Sequence, residues 1–403
     1  MKTLLQINVV ANSGSTGRIA EQIGLTAQAN GWRSVIAYSR GNVNSSSELY
    51  RVGGKFSQAF HLACTRLFDR HGLASKIATR KLVRYIKELK PDVIHLHNIH
   101  GYFINYPIFF EYLKTSGIPV VWTLHDCWTF TGHCAYFDWA ACGKWTSGCS
   151  DCPQLGTYPK SLLRDRSSKN YKQKKEHFTS VDKLTLVPVS EWLSGLLAKS
   201  YMKDKDKVTI HNGIDTDRYS PVEAYEAVLA KYGLRGNKMV LGVANIWEPR
   251  KGLPDFVKLR KALPEEFEIA LVGLSQAQIA DLPKGITGIE RTENVNELAA
   301  LYTAASVLFN PTYEDNFPTV NIEAMSCGTP VVTYDTGGSP EAVTPESGTV
   351  VPKGDIRKAV EEIEKICANG KEYYSHKCRT HITGNFEMNS KYKEYIEIYN
   401  NII

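Results

Sequence analysis

The chain has 403 residues, too many for one ordinary core, and this length favours two domains of about 200 residues each. Hydrophobic residues make up 43% and charged residues 22%, which is typical of globular chains and excludes disordered and fibrous classes. No apolar run approaches the ~18 residues that a membrane-spanning helix needs. The amino-terminal residues resemble a buried strand more than a signal peptide, so the predicted location is the cytoplasm.

Short apolar, β-branched runs alternate with helical patterns along the whole chain and predict parallel sheets covered by helices. The predicted strands of the first half are residues 4–10, 34–38, 93–96, 120–124 and 184–189. Those of the second half are residues 239–244, 267–272, 306–309, 331–334 and 349–351. The pattern predicts an α/β chain with domains at 1–205 and 206–385, followed by an amphipathic helix at 386–403.

Charge is distributed unevenly between the two predicted domains. Residues 1–200 carry a formal charge of +12, and the remainder carries −6. Eight cations lie close together in the first half, with apolar residues between them: Arg66, Arg70, Lys76, Arg80, Lys81, Arg84, Lys87 and Lys90. They indicate either a solvated pair of amphipathic helices or a face for anionic lipid or an anionic acceptor. No nucleic-acid-binding module accompanies the charge, so no nucleic-acid partner is predicted.

Two glycines follow the first predicted strand, at Gly14 and Gly17, ahead of a helix predicted to begin near Ile19. Glycine lets backbone approach a ligand, and the free N–H groups of a helix start favour an anion. The spacing differs from the dinucleotide fingerprint G-x-G-x-x-G, and no acidic residue ends the second strand. The pattern therefore indicates either a loop that faces a phosphate or a sugar, or a purely structural turn.

An acidic pair precedes and enters a predicted helix in the second half. The helix is predicted to begin near Pro318 or Thr319, and its first turn, with Asn316 and Phe317 before it, can hold a diphosphate. Glu323 lies roughly 6 Å further along the axis, where a carboxylate can accept both hydroxyls of a ribose. Asp315 on the loop is predicted to hold hydroxyls of a sugar beyond the phosphates. The alternative is that these acidic residues only complement the helix dipole.

Four cysteines lie in a glycine-rich loop at residues 127–153, with the spacing C-x7-C-x6-C-x2-C. They are Cys134, Cys142, Cys149 and Cys152. Four thiolates that end in C-x2-C suit a closed tetrahedral zinc site, so a structural zinc ion is the favoured hypothesis. Unligated thiols and disulfides remain the alternatives, and a reducing compartment disfavours the latter.

The acidic stretch resembles the E-x7-E signature of retaining glycosyltransferases of family 4. Its continuation also matches, in Cys327-Gly328-Thr329-Pro330 and in Gly337-Gly338-x-Pro340-Glu341, and Asn212-Gly213-Ile214-Asp215 resembles the interdomain motif of the family. The position eight residues before Glu323 is Asp315, whereas Glu314 stands one residue earlier. Asp315 is therefore predicted to replace the first glutamate of the signature, with Glu314 as the alternative.

Two further motifs carry the resemblance. Arg250-Lys251-Gly252 is similar to the element that binds the donor phosphates, although Ile246 stands where the family has an arginine. Leu124-His125-Asp126-x-Trp128 is similar to a motif whose histidine lies near the transferred sugar. The surrounding sequence, with Cys134 and Gly148-Cys149-x-x-Cys152-Pro153, resembles a branch that builds capsular or colanic-acid-type polysaccharide.

The resemblance implies a GT-B fold, in which two Rossmann-like domains face each other across a cleft and a carboxyl-terminal helix crosses back to the first. It implies a retaining hexosyltransferase that takes a nucleotide-diphosphate sugar and a glycan acceptor, which this branch carries on a lipid, at the inner face of the plasma membrane. No cofactor is expected for catalysis, and the D-x-D triplet Asp215-Thr216-Asp217 is interpreted as structural. Alternatives are a nucleotide-sugar epimerase or phosphorylase of the same fold, or a non-catalytic binding protein.

Overall fold

The computed structural model describes residues 1–41 and 44–403, which divide into two compact units. The first unit comprises Met1–His211 and Tyr392–Ile403, and the second comprises Asn212–Lys391. Both transitions lie a few residues after the predicted domain bounds. The last helix therefore begins in the second unit, and its residues from Tyr392 onward belong to the first.

The first unit contains a parallel sheet of seven strands in the order β3-β2-β1-β4-β5-β6-β7. The strands are β1 (Thr3–Ile7), β2 (Arg33–Tyr38), β3 (Glu48–Arg51), β4 (Val93–Leu96), β5 (Val120–Leu124), β6 (Leu184–Pro188) and β7 (Asp206–Lys207). The helices are α1 (Gly14–Ala29), α2 (Lys55–Phe68), α3 (Lys76–Leu89), α4 (Tyr106–Ser116), α5 (Ser167–Thr179) and α6 (Glu191–Leu197). Every residue of β1, β4 and β5 is buried, which explains why their sequences are largely apolar, with Gln6 and His95 as buried polar exceptions.

The second unit contains a parallel sheet of six strands in the order β10-β9-β8-β11-β12-β13. The strands are β8 (Met239–Val243), β9 (Glu268–Val272), β10 (Ile286–Ile289), β11 (Val307–Asn310), β12 (Val331–Tyr334) and β13 (Gly348–Val351). The helices that begin in this unit are α7 (Glu226–Lys231), α8 (Leu253–Ala262), α9 (Gln276–Ala280), α10 (Val295–Ala304), α11 (Thr319–Ser326), α12 (Ile356–Asn369), α13 (Glu372–Asn385) and α14 (Met388–Ile402).

Each sheet has one point where the strand order reverses direction. In the first sheet the reversal lies between β1 and β4, and in the second it lies between β8 and β11. Ligands of open α/β sheets bind beyond the carboxyl ends of the strands at such a reversal. The loops that follow these four strands are therefore where a site is expected in each unit.

Three strands were not predicted, and all three lie at sheet edges: β3 and β7 in the first sheet and β10 in the second. An edge strand is covered on fewer sides, so burial does not impose a continuous apolar run on it. The sequences Glu48–Arg51 and Asp206–Lys207 are largely exposed and polar. Helix α1 also begins at Gly14, five residues before its predicted start, so both glycines belong to its first turn.

Helix α14 joins the core of the first unit through its tyrosines. The Tyr399 hydroxyl lies 2.6 Å from His95 Nδ1, and the Tyr399 ring meets that of Trp32 edge-on at 5.7 Å. Thr123 Oγ1, in β5, donates to the Tyr395 hydroxyl at 3.2 Å. Among the described residues, no helix combines the length and the apolar character needed to cross a membrane.

Candidate functional site

In the second unit, the charged motifs meet at the reversal of strand order. The loop that carries Arg250 and Lys251 follows β8, and the loop that carries Asp315 follows β11. Because β8 and β11 are parallel neighbours, their carboxyl ends open on the same edge of the sheet. The structure thus brings together residues that are separated by more than sixty positions in the sequence.

Direct bonds tie these two loops. Lys251 Nζ lies 2.5 Å from Asp315 Oδ2, and both side chains are about one-fifth exposed (22% and 17%). Arg250 Nη1 donates to the Glu314 carbonyl at 2.9 Å, and its Nε pairs with Glu248 at 2.9 Å. The loops therefore present two cations at a partly open edge of the sheet.

Glycines allow the loops to approach this closely. Gly252 has a φ of +76°, and a Cβ there would lie 2.2 Å from the Pro311 carbonyl oxygen. Gly337 has a φ of +57°, and a Cβ there would lie 1.9 Å from the Asp315 carbonyl oxygen. Only glycine fits such positions without moving the facing backbone. The glycines of both motifs thus hold the cation-bearing and acid-bearing loops in place.

Helix α11 begins at Thr319 with Pro318 at its amino cap, which confirms the predicted start. Phe317 is buried and packs 5.8 Å from the Phe386 ring, whereas Thr319 is half-exposed. Glu323, one turn further along, accepts a 2.9 Å hydrogen bond from the Tyr302 hydroxyl. Burial, followed by the charge of Glu323, raises the pKa of Tyr302 well above its usual value, so Tyr302 remains a donor.

The two candidates for the first acidic position have different surroundings. Glu314 is 3% exposed, and its carbonyl also accepts from Thr312 Oγ1 at 3.2 Å. Asp315 is partly exposed beside Lys251. Ile246, at the usual arginine position, is 65% exposed and supplies no charge. These surroundings favour Asp315 over Glu314 as the carboxylate that meets a ligand.

Asp255, on α8, was not predicted from the sequence. It is buried and accepts from the hydroxyls of Tyr313 at 2.7 Å and Tyr334 at 2.9 Å, while Lys258 pairs with it at 2.7 Å. Burial, followed by the hydrogen bond to Asp255, raises the pKa of Tyr313 to about 12. Asp255 therefore fixes the base of the loop after β11. A lone aspartate in a helix gives no signal of this role.

In the first unit, His125 follows β5 and His97 follows the neighbouring strand β4. Their rings stack, with His97 Nδ1 3.3 Å from His125 Nε2. His97 Nε2 lies 3.0 Å from Gln6 Oε1, and Gln6 Nε2 donates to the Ala20 carbonyl at 2.7 Å. A buried chain therefore leads from β1 through His97 to His125.

The donor and the acceptor of each hydrogen bond between Gln6, His97 and His125 can be assigned in turn. Gln6 uses its N–H to bond Ala20, so its oxygen accepts and His97 Nε2 carries the proton. Burial holds the pKa of His97 well below its usual value and lowers that of His125 to about 4, so both rings are neutral at pH 7. His97 Nδ1 is then the acceptor, and His125 Nε2–H is the donor to it.

Asp126, next to His125, is buried; its Oδ2 lies 2.9 Å from His100 Nε2, and its Oδ1 accepts from the Trp128 N–H at 2.9 Å. Burial alone would raise the pKa of Asp126, but the charge and hydrogen bond of His100 outweigh it, so the pKa is lowered. The sequence contains a signal that could have indicated these partners, since His95, His97 and His100 occur within six residues at the end of a predicted strand.

The glycines after β1 have local explanations. A Cβ at Gly17 would lie 3.1 Å from Val10 Cγ2 and 3.3 Å from the Asn12 nitrogen, so glycine there lets the loop pack on α1. Gly14 has a φ of +62° and open space around it. Asn8 ties the same loop down by donating to the Val10 carbonyl at 2.9 Å. These contacts account for Gly17 by packing, and the donor-facing role of both glycines stays a prediction.

The four clustered cysteines, Cys134, Cys142, Cys149 and Cys152, line one small pocket, and none forms a disulfide. A hydrogen bond from Cys134 lowers the pKa of Cys152 to about 7, and Cys149 Sγ accepts from the Gly132 N–H at 3.2 Å. Within the described ranges, no three His, Cys, Asp or Glu side chains are grouped so that they could hold a metal ion. The zinc hypothesis therefore stays a prediction from spacing.

Lys174, on α5, was also not predicted and lies in the core beside this loop. It is 1% exposed, its Nζ donates to the carbonyls of Trp128 at 2.6 Å and Thr131 at 3.1 Å, and it lies 3.6 Å from the centre of the Trp128 ring. Burial lowers its pKa to about 7. Lys174 thus holds in place the start of the cysteine-rich loop, which directly follows His125 and Asp126 in the sequence.

Comparison with known families identifies both halves of the chain. The profile of Glycosyltransferase Family 4 matches residues 16–218, and that of Glycosyl transferases group 1 matches residues 237–369. The chain is 25% identical over 427 aligned positions to WcaC of Escherichia coli (strain K12), whose name assigns it as a colanic acid biosynthesis glycosyl transferase. That alignment covers 99% of this chain and 100% of the relative.

Solved structures share the fold over the full chain. Sucrose-phosphate synthase from Thermosynechococcus elongatus matches with a TM-score of 0.74 at 17% identity, covering 100% of this chain and 99% of that one. The Anabaena protein Alr3699/HepE, in complex with UDP-glucose, matches with a TM-score of 0.69 at 13% identity, covering 100% of both chains. The predicted GT-B class of fold is confirmed. The family profile spans half of the chain, and this protein therefore belongs to glycosyltransferase family 4.

Proposed function

We propose that this glycosyltransferase moves a sugar from a nucleotide diphosphate onto a glycan acceptor carried on a lipid, with retention at the anomeric carbon. The observation that carries the proposal is the edge of the second sheet, where Arg250, Lys251 and the start of α11 meet. Alr3699/HepE, a structural neighbour, is described with UDP-glucose bound, which supports a nucleotide-sugar donor for this chain.

Each group at this edge fits one part of such a donor. Arg250 offers a planar fork and Lys251 a point charge for the diphosphate oxygens. The first N–H groups of α11 add positive potential for the same anion. Glu323 accepts from the Tyr302 hydroxyl, and we propose that this carboxylate also accepts ribose hydroxyls when the donor binds. Asp315 would accept hydroxyls of the sugar once the diphosphate shares Lys251 with it.

The chemistry proposed is substitution on the front face of the sugar. The bond between C1 and the diphosphate oxygen breaks while the acceptor oxygen bonds to C1 from the same side. The proton of the acceptor hydroxyl passes to the leaving phosphate oxygen. Negative charge grows on that diphosphate, and preorganised cations beside it stabilise the transition state. We propose that Arg250 and Lys251 supply this stabilisation without a divalent metal.

The D-x-D triplet has a local structural role. Asp215 Oδ1 accepts from the backbone N–H groups of Asp217 at 3.1 Å and Arg218 at 3.0 Å, which caps a turn. This engagement supports the interpretation of the triplet as structural. Activity that survives EDTA is the expected result. Dependence on Mg²⁺ or Mn²⁺ that Asp217→Ala abolishes would contradict the metal-free mechanism.

We propose that the first unit contributes His125 and the acceptor side of the reaction. Because Nε2 of His125 carries its proton toward His97, Nδ1 can act toward a sugar hydroxyl only as an acceptor. Acceptor chemistry of the colanic-acid or capsular type is proposed from the likeness to WcaC. The proposed location is cytoplasmic, at the inner face of the plasma membrane, where a lipid-linked acceptor is accessible.

A panel of UDP, GDP, CMP and dTDP sugars tests the donor assignment by thermal shift, because a ligand of the folded state raises its melting temperature. Sugar nucleotides with one particular base are expected to raise the melting temperature of the wild type but not that of Lys251→Ala. NMR of the product then shows whether the anomeric configuration of the donor is retained. A panel with no shift at all, or a product of inverted configuration, would contradict the proposal.

The zinc prediction is open to direct measurement. Protein purified without chelators is expected to contain about one zinc ion per chain, as a closed four-thiolate site would. The double variant Cys149→Ser/Cys152→Ser should lose it, whereas Cys64→Ser, outside the loop, should keep it. Well under one metal per chain in the wild type would favour unligated thiols.

A further inference from the structure

The side of helix α2 that faces the interior of the first unit is polar, and the side that faces solvent is apolar. Its inward residues make buried polar contacts. His61 Nδ1 lies 2.9 Å from Ser75 Oγ, and His61 Nε2 accepts from the Gly72 N–H at 3.0 Å. Gln58 donates to the Ser39 carbonyl at 2.9 Å. A surface helix of a water-soluble domain shows the opposite arrangement, so this orientation needs an explanation.

The outward side of α2 is an apolar stripe. Phe56, Phe60 and Leu67 stand at spacings of four and seven residues, which places them on one side of the helix. Phe56 is 94% exposed and Phe60 is 65% exposed. Two further exposed leucines, Leu162 and Leu163, lie beside the helix end, because the Leu162 N–H donates to the Arg66 carbonyl at 2.6 Å. We call these five side chains the α2 face.

A groove next to the α2 face is lined by cations. The cavity has a volume of about 940 Å³ and lies between the amino-terminal parts of α2 and α3, where Phe56 and Phe60 line it together with the exposed Ile77. Among the described residues that line it, five are cations and none is a carboxylate: Arg51, Arg70, Lys76, Arg80 and Lys81. Within the described part of the chain, no ion pair is found for any of these five.

The charge excess extends beyond the groove. Residues 51–90 contain ten Lys and Arg residues against two acidic ones, Asp69 and Glu88. Asp69 is fully buried and pairs with His133 at 2.6 Å, so it does not offset the surface charge. The exposed phenylalanines and leucines of the α2 face thus lie beside a dense excess of positive charge on the surface of the first unit.

We propose that the α2 face docks on the surface of an anionic lipid bilayer. Phe56 and Phe60 enter the boundary between headgroups and acyl chains, and the groove cations contact lipid phosphates. Apolar burial and attraction to anionic headgroups together are what hold an interfacial helix on a membrane. A second copy of this chain is a poorer occupant, because two faces with this charge excess would repel each other. The proposal does not depend on which sugar is transferred.

Co-sedimentation of the full chain with lipid vesicles tests the proposal. Vesicles that contain phosphatidylglycerol are expected to bind the protein, and vesicles of phosphatidylcholine alone are not. Phe56→Ser/Phe60→Ser should weaken binding at least tenfold. Lys76→Glu/Arg80→Glu/Lys81→Glu should weaken it by about fivefold or more for each cation replaced. Both variants should melt at the wild-type temperature, since the substituted side chains are exposed.

Matched controls separate the α2 face from general surface properties. Tyr373→Ser removes an exposed aromatic side chain elsewhere, and Lys169→Glu/Lys172→Glu/Lys175→Glu makes the same charge change on α5. Both controls should bind vesicles like the wild type. Equal binding to neutral vesicles, no binding to anionic ones, or equal losses in the controls would overturn the proposal. Self-association that Phe56→Ser/Phe60→Ser abolishes, without vesicle binding, would assign the face to a second copy instead.

Discussion

The two sheets carry sites of different character at equivalent places. Beyond β8 and β11, the second sheet presents Lys251, Arg250 and Asp315, which are charged and partly exposed. Beyond β4 and β5, the first sheet presents His97 and His125, which are neutral and linked inward to Gln6. The same topology thus supports an edge suited to anions in one unit and an edge suited to uncharged hydroxyls in the other. The difference lies mainly in the loops, and in the first unit strand β1 adds the buried Gln6 behind them.

The largest effect is expected at the charged edge. Lys251→Ala should lower kcat/KM by about a thousandfold, because it removes a preorganised cation from the leaving diphosphate. Steady-state kinetics with the donor identified by thermal shift measures this. Lys284→Ala, an exposed lysine in the same unit, is the control and should change little. Near-wild-type activity of Lys251→Ala would remove the charged edge from the mechanism.

A backbone change should distort the same edge without altering its charge. Gly337→Ala places a Cβ 1.9 Å from the Asp315 carbonyl oxygen at a positive φ, so the free energy of unfolding should fall by roughly 3 kcal/mol. Donor binding should weaken as well. Gly233→Ala has a similar φ of +66° but open space, and should cost about 1 kcal/mol. Equal losses in urea unfolding of the two variants would contradict the proposed close contact.

In the first unit, the hydrogen bond between His97 and Gln6 is the contact to remove. Gln6→Met removes the acceptor for His97 Nε2–H and the donor to Ala20, so unfolding free energy should fall by about 1–3 kcal/mol. The imidazole ¹⁵N signals of His97 and His125 should change, because the proton positions are no longer fixed. Gln28→Met, at an exposed glutamine of α1, is the matched control. Unchanged imidazole signals in Gln6→Met would contradict the assigned tautomers.

Acid should destabilise the first unit in particular. Burial lowers the pKa of His61 and His125 to about 4 and holds that of His71, His95 and His97 well below its usual value, and all five lie in this unit. Between pH 6.5 and about 4 the unfolded chain therefore binds protons that the folded chain does not. Stability is fully present above pH 6.5 and falls by about 1.4 kcal/mol per pH unit for each histidine as the pH decreases.

Urea unfolding across this pH range measures the slope, and the transition of the first unit should shift more than that of the second. If the variant folds, His95→Gln should reduce the slope of the unfolding free energy against pH by the contribution of one histidine. His376→Gln, at an exposed histidine of the second unit, should leave the slope unchanged. A first-unit transition that is flat below pH 6.5 would contradict the buried neutral histidines.

Helix and strand prediction succeeded where burial dictates the sequence. The central strands β1, β4 and β5 are mostly apolar because both faces are covered. The edge strands β3 and β7 gave no pattern, because solvent accepts polar side chains there. The start of α1 was placed too late because Gly14 and Gly17 were interpreted as a loop, whereas the small size of Gly17 lets the first turn of the helix pack directly against Val10.

The sequence by itself determined the class of fold and the motifs of the family, since both depend on local patterns and short spacings. Its charge count also indicated a basic region at residues 66–90. Only the tertiary structure decided which groups meet. The Lys251–Asp315 pair and the Gln6–His97 bond join residues 64 and 91 positions apart. The tertiary structure also decided that Phe56 and Phe60 face solvent. The opposite side of α2 faces inward because the polar partners of His61 and Gln58 come from other elements. Such pairings depend on how helices and strands pack, which no local pattern records.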